Sequence, residues 1–332
     1  MADISINKEE ILSSAISSQP CAQHWWAAAL SEAVSGEKPL AVVCDEHEIV
    51  LFRDSSGKAV ALEDRCPHRR APLSLGCVKA NGLQCPYHGW TFDGSTGACT
   101  EIPNLGENER VPARYGALAY KVAEANGFVH VWLGDETPNN QLPANLYQAR
   151  GTEITGSAVL PIAHDQYLAA MLDGTHALIQ FDGIVITDFF LGDARCEGEH
   201  LVLDRGAVWK GKLPAPAFVT EHPLIVRTHV PISGGQIQVA LLTAEEKPVA
   251  TLAIASNIGR RGTTAVCWRG FSDTAHVSHA PLRWRLRRAL GKPLFEVLTH
   301  IDGALIASLL AEPSQELRAR RYQQATPLRF AV

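Results

Sequence analysis

Cys66-Pro67-His68 and Cys85-Pro86-Tyr87-His88 constrain this chain more than anything else in it. They form a Cys-x-His pair and a Cys-x-x-His pair with sixteen residues between them. Mixed pairs of this kind suit a cluster of two irons and two sulfides in which the cysteines hold one iron and the histidines the other. Two neutral imidazoles in place of two thiolates lower the ligand charge and raise the reduction potential well above that of an all-cysteine cluster. The chemistry implied is one-electron transfer. A structural zinc site also takes two Cys and two His, but it usually pairs like with like, Cys-x-x-Cys followed by two spaced histidines.

The residues around the pairs point the same way. Asp64-Arg65-Cys66-Pro67-His68-Arg69 and Gln84-Cys85-Pro86-Tyr87-His88-Gly89-Trp90 resemble the two ligand loops of a Rieske domain. Proline and glycine there shape tight loops whose amides can point at the sulfides, and Trp90 can wall off water. Respiratory members add a disulfide between the loops, with cysteines at positions that are Ala71 and Tyr87 here. The pattern is that of the oxygenase branch.

At 332 residues, two domains with their own cores are expected. A net charge of −5 gives no basic excess for nucleic acid, and no apolar run approaches a membrane span. Met1-Ala2-Asp3-Ile4-Ser5 lacks the charged-then-apolar profile of a signal peptide. Cys21, Cys44, Cys77, Cys99, Cys196 and Cys267 show no regular framework, so buried free thiols in a reducing cytoplasm are expected.

Along the chain, Lys8 to Ser18 is weakly helical, and His24-Trp25-Trp26-Ala27-Ala28-Ala29-Leu30 follows. From Pro39 to about Gly134 short strands alternate with turns: 40–44, 49–53, a turn at Asp54-Ser55-Ser56-Gly57, then 59–62. Asn81-Gly82 reads as a hairpin turn, Gly94-Ser95-Thr96-Gly97 closes the second ligand loop, and 127–133 ends the unit. This predicts a small all-β module with its cluster at a loop tip. Asp135 to Pro143 is a linker candidate. Beyond it, Tyr167 to Gln180 reads as a helix, and strands are expected at 201–203, 236–241, 249–254 and 263–268. Helical patterns run from Pro281 to Leu290 and from Leu294 to Leu310. An antiparallel sheet carrying a long terminal helix is the natural layer solution.

The resemblance extends over nearly the whole chain. It is similar to the oxygenase (alpha) component of Rieske non-haem iron oxygenases, closest to the short monooxygenases and demethylases of aromatic and heteroaromatic compounds. That likeness implies an α+β fold: residues 1–38 packing on the domains, an all-β Rieske domain at 39–134, and a helix-grip domain at 135–332. The family's second domain binds one ferrous iron through two histidines and a carboxylate. Its motif is Asp-x-x-His-x-x-x-x-His, and Asp173-Gly174-Thr175-His176 matches the first half. By resemblance Asp173 bridges one subunit's cluster to the neighbour's iron, and His176 is an iron ligand. Asp302, on the C-terminal helix, is the candidate carboxylate. Phe181 stands where the family has its second histidine. Gln180 lies on the same helical face as His176, but an amide is a weaker donor than imidazole. His300 would point about 200° away from Asp302 on a regular helix, and His164 lies upstream of the motif.

Two functions follow. In one, the chain is an active oxygenase that hydroxylates or dealkylates a small aromatic substrate through O2. In the other, it is an electron-delivery and structural subunit whose cluster serves the iron of a partner subunit, in a mixed trimer or hexamer rather than a homotrimer. Neither a Gly-x-Gly-x-x-Gly unit nor a Cys-x(4)-Cys-x(2)-Cys motif is present, which implies a separate NAD(P)H-dependent reductase of the flavin and ferredoxin type. Arg69 and Arg70 beside the cluster are candidates for docking an acidic donor. Arg283, Arg285, Arg287 and Arg288 read more simply as a solvated helix face.

Overall fold

The computed structural model describes residues 24–272 except 46, 81, 107–108, 135–136, 139–141, 149–150, 165–166, 169–170, 172–178, 180–183, 192–194, 199, 210–223, 232–235 and 260–261. The helical readings at 8–18, 281–290 and 294–310 lie outside these residues. Of the 167–180 helix, Tyr167, Leu168 and Met171 are described as helical. The chain divides into two compact units, one of Gln19–Ala144 with Ala255–Arg261, the other built on Asn145–Ile254 and the strand after Gly262.

Among its described residues the first unit holds three small sheets. β2 (Leu40–Cys44), β3 (His47–Arg53), β4 (Ala59–Glu63) and β9 (Ala119–Tyr120) form the middle one, in that order. Ile49, Val50, Leu51 and Phe52 of β3 are all fully buried. Successive side chains of a strand leave on opposite faces, so two cores are served. Ile49, Leu51, Ala59 and Ala61 pack with Trp26, Val129, Val131 and Leu133, whereas Val50, Phe52, Val60 and Leu62 pack with Leu73, Leu83, Phe92, Cys66 and Cys85. A strand covered on both faces reads as a continuous apolar run rather than an alternation.

The first of those cores is closed by β1 (His24–Leu30), β11 (Phe128–Leu133) and β10 (Val122–Ala125), ordered β1-β11-β10. The β1–β11 register shifts between Ala27 and Ala29. Such a bulge takes carbonyls out of the ladder. The buried Asn257 amide donates to the carbonyls of Ala27 (3.2 Å) and Ala28 (3.3 Å) there. The second core is closed by β5 (Cys77–Lys79), β6 (Gly82–Gln84), β7 (Thr91–Phe92) and β8 (Cys99–Glu101). Lys79 pairs with Gly82, so Gly82 opens β6 instead of standing in the turn, one position later than its Asn-Gly context had placed it. Its φ of 145° lets the backbone pass against Phe92, whose carbonyl oxygen would be 2.0 Å from any Cβ. Among the remaining cysteines Cys44 is buried and Cys99 and Cys267 are half-buried, but Cys77 is exposed because it lies on the edge strand β5.

The β3–β4 hairpin turns on Asp54, whose carboxylate accepts the Ser56 amide (2.9 Å), the Ser56 hydroxyl (2.6 Å) and the Lys58 amide (3.0 Å). Next to it Arg53 donates to the carbonyls of Val34 (2.9 Å), Ser31 (2.9 Å) and Gly57 (2.8 Å), and pairs with Glu124 (2.7 Å). One guanidinium therefore joins β3, its hairpin, the chain after β1 and β10.

Among its described residues the second unit forms a sheet of eight strands: β12 (Thr152–Leu160), β13 (Ile184–Leu191), β14 (Arg195–Glu197), β15 (His200–Trp209), β16 (Leu224–Pro231), β17 (Ile237–Thr243), β18 (Pro248–Ile258, whose residues from Ala255 on count with the first unit) and β19 (Thr264–Ser272). Their order is β12-β19-β18-β17-β16-β15-β13, with β14 paired to β15. Leu201, Leu203, Val226, Val230, Val239, Leu241, Leu252 and Trp268 share one core. Gly156 lies opposite Trp268, and a Cβ there would stand 2.2 Å from the indole. On the other face Arg227 grips Asp204 with two bonds of 2.8 and 3.0 Å. Among the described residues no helix is long and apolar enough to cross a membrane.

Replacing Arg53 by Ala should cost about 2 kcal/mol in chemical denaturation, and Lys, lacking the planar fork, should not restore it. Arg53 and then Ser31 hold the Glu124 carboxyl below its ordinary value. That contribution is therefore present above the unfolded-state pKa, about 4.3, and is lost as pH falls through the lower folded value. The Arg53→Ala protein should lack that component of the acid-unfolding curve.

Candidate metal centre

The two Cys-His loops share one hydrogen-bond plan. In the first, the Cys66 amide donates to the Ala71 carbonyl (2.9 Å) and the Arg70 amide returns to the Cys66 carbonyl (2.8 Å). In the second, the Cys85 amide donates to Trp90 (2.8 Å) and the Gly89 amide returns to Cys85 (3.2 Å). Each loop closes five residues after its cysteine. The residue before the closure is left-handed in both, Arg70 at φ 57° and Gly89 at φ 74°. Within equal frames, His68 leaves two residues after its cysteine and His88 three.

Polar side chains brace the frames. Asp64, buried just ahead of the first loop, accepts the Ser74 amide and hydroxyl, both at 2.6 Å. Gln84, just ahead of the second, donates to the Gly89 carbonyl (3.2 Å). Asp93, after β7, accepts the amides of Ser95 (3.0 Å) and Thr96 (2.8 Å). These hydroxyls and amides hold its carboxyl below the usual range, the Ser95 hydroxyl foremost.

The four donors separate by burial. Cys66 and Cys85 are 2% and 3% exposed and belong to the apolar core below the loops. His68 and His88 are exposed, with ring centroids 4.6 Å apart. Burial pushes the Cys66 thiol up to about 11; the amides of His68 and Arg69 oppose this, and the adjoining Cys85 thiol adds to it. The Cys66 thiol, in an apolar floor beside a second thiol, resists becoming a bare anion. A cation shared between them removes that penalty, so the pair fits a metal. Loss of solvent, then His88 and Arg69, hold the His68 imidazole below its ordinary value. The neutral ring is the form with a lone pair to give. Among the described residues no three His, Cys, Asp or Glu side chains gather around one point. Thiols pair inside and imidazoles pair outside, which suits two irons better than one four-ligand zinc.

Asp173, His176, Gln180, Phe181, His300, Asp302 and the arginines at 283–288 lie outside the described residues. His164 is half-buried and its ring stacks with Tyr167 (6.4 Å, 22°). Arg69 and Arg70 are exposed beside His68. Asp64, two residues ahead of Cys66, and Gln84, directly ahead of Cys85, belong to the two loop strings quoted above, but nothing in those strings points to Ser74 or to the Gly89 carbonyl as their partners.

Residues 24–118 match the family described as Rieske [2Fe-2S] domain. Protein TIC 55, chloroplastic, from Arabidopsis thaliana is 33% identical over 191 residues, 56% of this chain and 35% of that protein. The putative toluene-4-sulfonate monooxygenase system iron-sulfur subunit TsaM2 of Comamonas testosteroni is 43% identical over 116 residues, 35% of this chain and 32% of that one. The chain thus spans about a third of the length of these curated relatives. Among solved structures, dicamba monooxygenase bound to dicamba superposes with a TM-score of 0.60 at 20% identity, covering 94% of this chain and 92% of that one. Pseudomonas putida CBB5 NdmA QL mutant with caffeine gives 0.59 at 19% identity, covering 91% and 84%. Residues 24–118 are a Rieske domain whose cofactor is a [2Fe-2S] cluster, and the chain has the fold of these monooxygenase and NdmA structures.

The twin frames make opposite substitutions informative. Gly89→Ala should destabilise by about 1–2 kcal/mol, since it strains φ and brings Cβ to 3.0 Å from Pro103. Arg70→Gly should stabilise by no more than about 1 kcal/mol, because relief of strain is partly offset by a freer unfolded chain. Denaturant titration of the cluster-loaded protein reads both.

Proposed function

We propose that the chain is the oxygenase component of a Rieske non-haem iron oxygenase, taking electrons from a separate reductase and supporting O2-dependent hydroxylation or demethylation of a small aromatic or heteroaromatic compound. The observation that carries this is the division of donors in twin loops, with thiols in the core and imidazoles at the surface. Cys66 and Cys85 hold the inner iron, and His68 and His88 the outer one. When bound, the cluster supplies one electron at a time at a raised potential. The chain's own residues set that behaviour: neutral imidazoles keep the ligand charge low, and the apolar floor keeps water from the sulfurs.

The likeness in fold covers far more than the Rieske domain, which supports a second domain with a task of its own. The names of the relatives and of the ligands in the similar structures support an aromatic substrate class. The wider assignment keeps 39–134 as the Rieske domain and 135–332 as a helix-grip domain with a long C-terminal helix. Asp173 bridges to a neighbouring subunit, and His176 and Asp302 are ligands for a mononuclear iron. The electron donor is a flavin- and ferredoxin-type NAD(P)H reductase, with Arg69 and Arg70 as docking charges for an acidic surface. The assembly is a homotrimer or a mixed trimer or hexamer.

Phe181 favours a second reading. With an apolar ring at the second histidine position, the chain would serve as the electron-delivering subunit of a mixed assembly and pass its electrons to a partner's iron.

Iron and acid-labile sulfide analysis of the purified chain separates the two. An active oxygenase should hold three irons per chain and take up O2 with reductase and substrate. Two irons, with a second oxygenase chain co-purifying, would establish the partner-subunit reading instead, and Phe181→His should then raise the count to three.

A further inference from the structure

We infer that Trp90 is a positioning residue that fixes the plane of His68, and that Tyr115 and Arg114 are the stack that holds Trp90 in place. The inference rests on His68 being a cluster ligand. The Trp90 and His68 rings are parallel to within 2° with centroids 4.6 Å apart, the offset stacking that aromatic pairs favour. Tyr115 leans on Trp90 from the turn Ala113–Tyr115 (5.1 Å, 56°). The Arg114 guanidinium lies 5.0 Å over the Tyr115 ring and donates to its hydroxyl (3.1 Å). Trp90 is half-buried and packs against the core that contains both cysteines.

Its backbone and side chain serve different loops. The Trp90 carbonyl accepts the Cys85 amide and closes the second loop, while the indole covers the histidine of the first. Trp90 thus clamps one loop to the other across the site. His68 is solvent-exposed, and an exposed imidazole turns about its side-chain bonds unless a neighbour fixes it. The flat face of Trp90 does so and removes one side of the ring from water.

The test uses the full-length, cluster-loaded protein with Trp90→Leu, Trp90→Phe and Tyr115→Leu. Readouts are the EPR line shape of the dithionite-reduced cluster and the rate at which its visible absorbance bleaches in aerated buffer with a chelator. Trp90→Leu should broaden the lines and bleach about two- to tenfold faster, the worth of one aromatic pair. Trp90→Phe should recover most of both, and Tyr115→Leu should fall between. Wild-type line shapes in the Leu variants, even with lowered melting temperatures, would mean that Trp90 is scaffold only and would overturn the inference. If Trp90→Leu yields no folded protein, Tyr115→Leu decides, since it keeps Trp90 and removes its support. His68→Ala should abolish the signal; a retained Rieske spectrum would overturn the ligand assignment itself, whatever Trp90 does.

Discussion

Two thiols must lie inside an apolar core while two imidazoles a few residues away stay in water, and the first unit is organised by that demand. Short loops alone cannot meet it, because a loop has no interior. The cysteines therefore stand at the points where the loops touch Leu73, Leu83 and Phe92. Closure five residues later brings the chain back before it can wander. Asp64 takes up the Ser74 amide just after the first loop and Gln84 the Gly89 carbonyl of the second, backbone groups that would otherwise need water. Positive φ at Arg70 and Gly89 is the backbone cost of that sharp return.

What the sequence reveals follows from how local each feature is. Donor identities, their spacing and the strands around them are written in short stretches, and the strands at 40–44, 49–53, 59–62 and 127–133 have counterparts in β2, β3, β4 and β11. The common frame of the two loops is hidden because it is made by backbone, and Pro-His-Arg-Arg does not look like Pro-Tyr-His-Gly. Tyr115 was out of reach for another reason: it meets Trp90 from an irregular segment with no periodicity. β1 shows a third kind of loss. Trp-Trp-Ala-Ala-Ala has no strand alternation, yet it forms a strand by pairing with β11, and Trp25 to Leu30 are buried throughout.

In the second unit, long-range pairing is what sequence could not supply. Strands at 236–241, 249–254 and 263–268 are visible as apolar runs, but nothing local says that Thr152 stands opposite Ser272, or that β12 joins β19. The sheet is the part of the helix-grip expectation that the described residues contain. The cluster of Arg227 with Asp204 and Glu246 is equally non-local, since its members come from β15, β16 and the turn after β17.

The apolar run of β3 has a further consequence. Strand register is normally policed by solvent, because a slip of one residue would turn apolar groups outward and polar groups inward. Ile49-Val50-Leu51-Phe52 has no polar alternate to expose, so a slipped β3 would still be greasy on both sides while lifting Val50 and Phe52 away from the cysteines. Something other than hydrophobicity must then index the strand. Arg53 and Asp54 stand at its end with fixed backbone addresses at Ser31, Val34, Gly57 and Lys58. They act as a stop at one end of the apolar run, Glu48 marks the other end through the Asp64 amide that donates to its carbonyl (2.8 Å), and the depth of the sulfur pair is measured between the two.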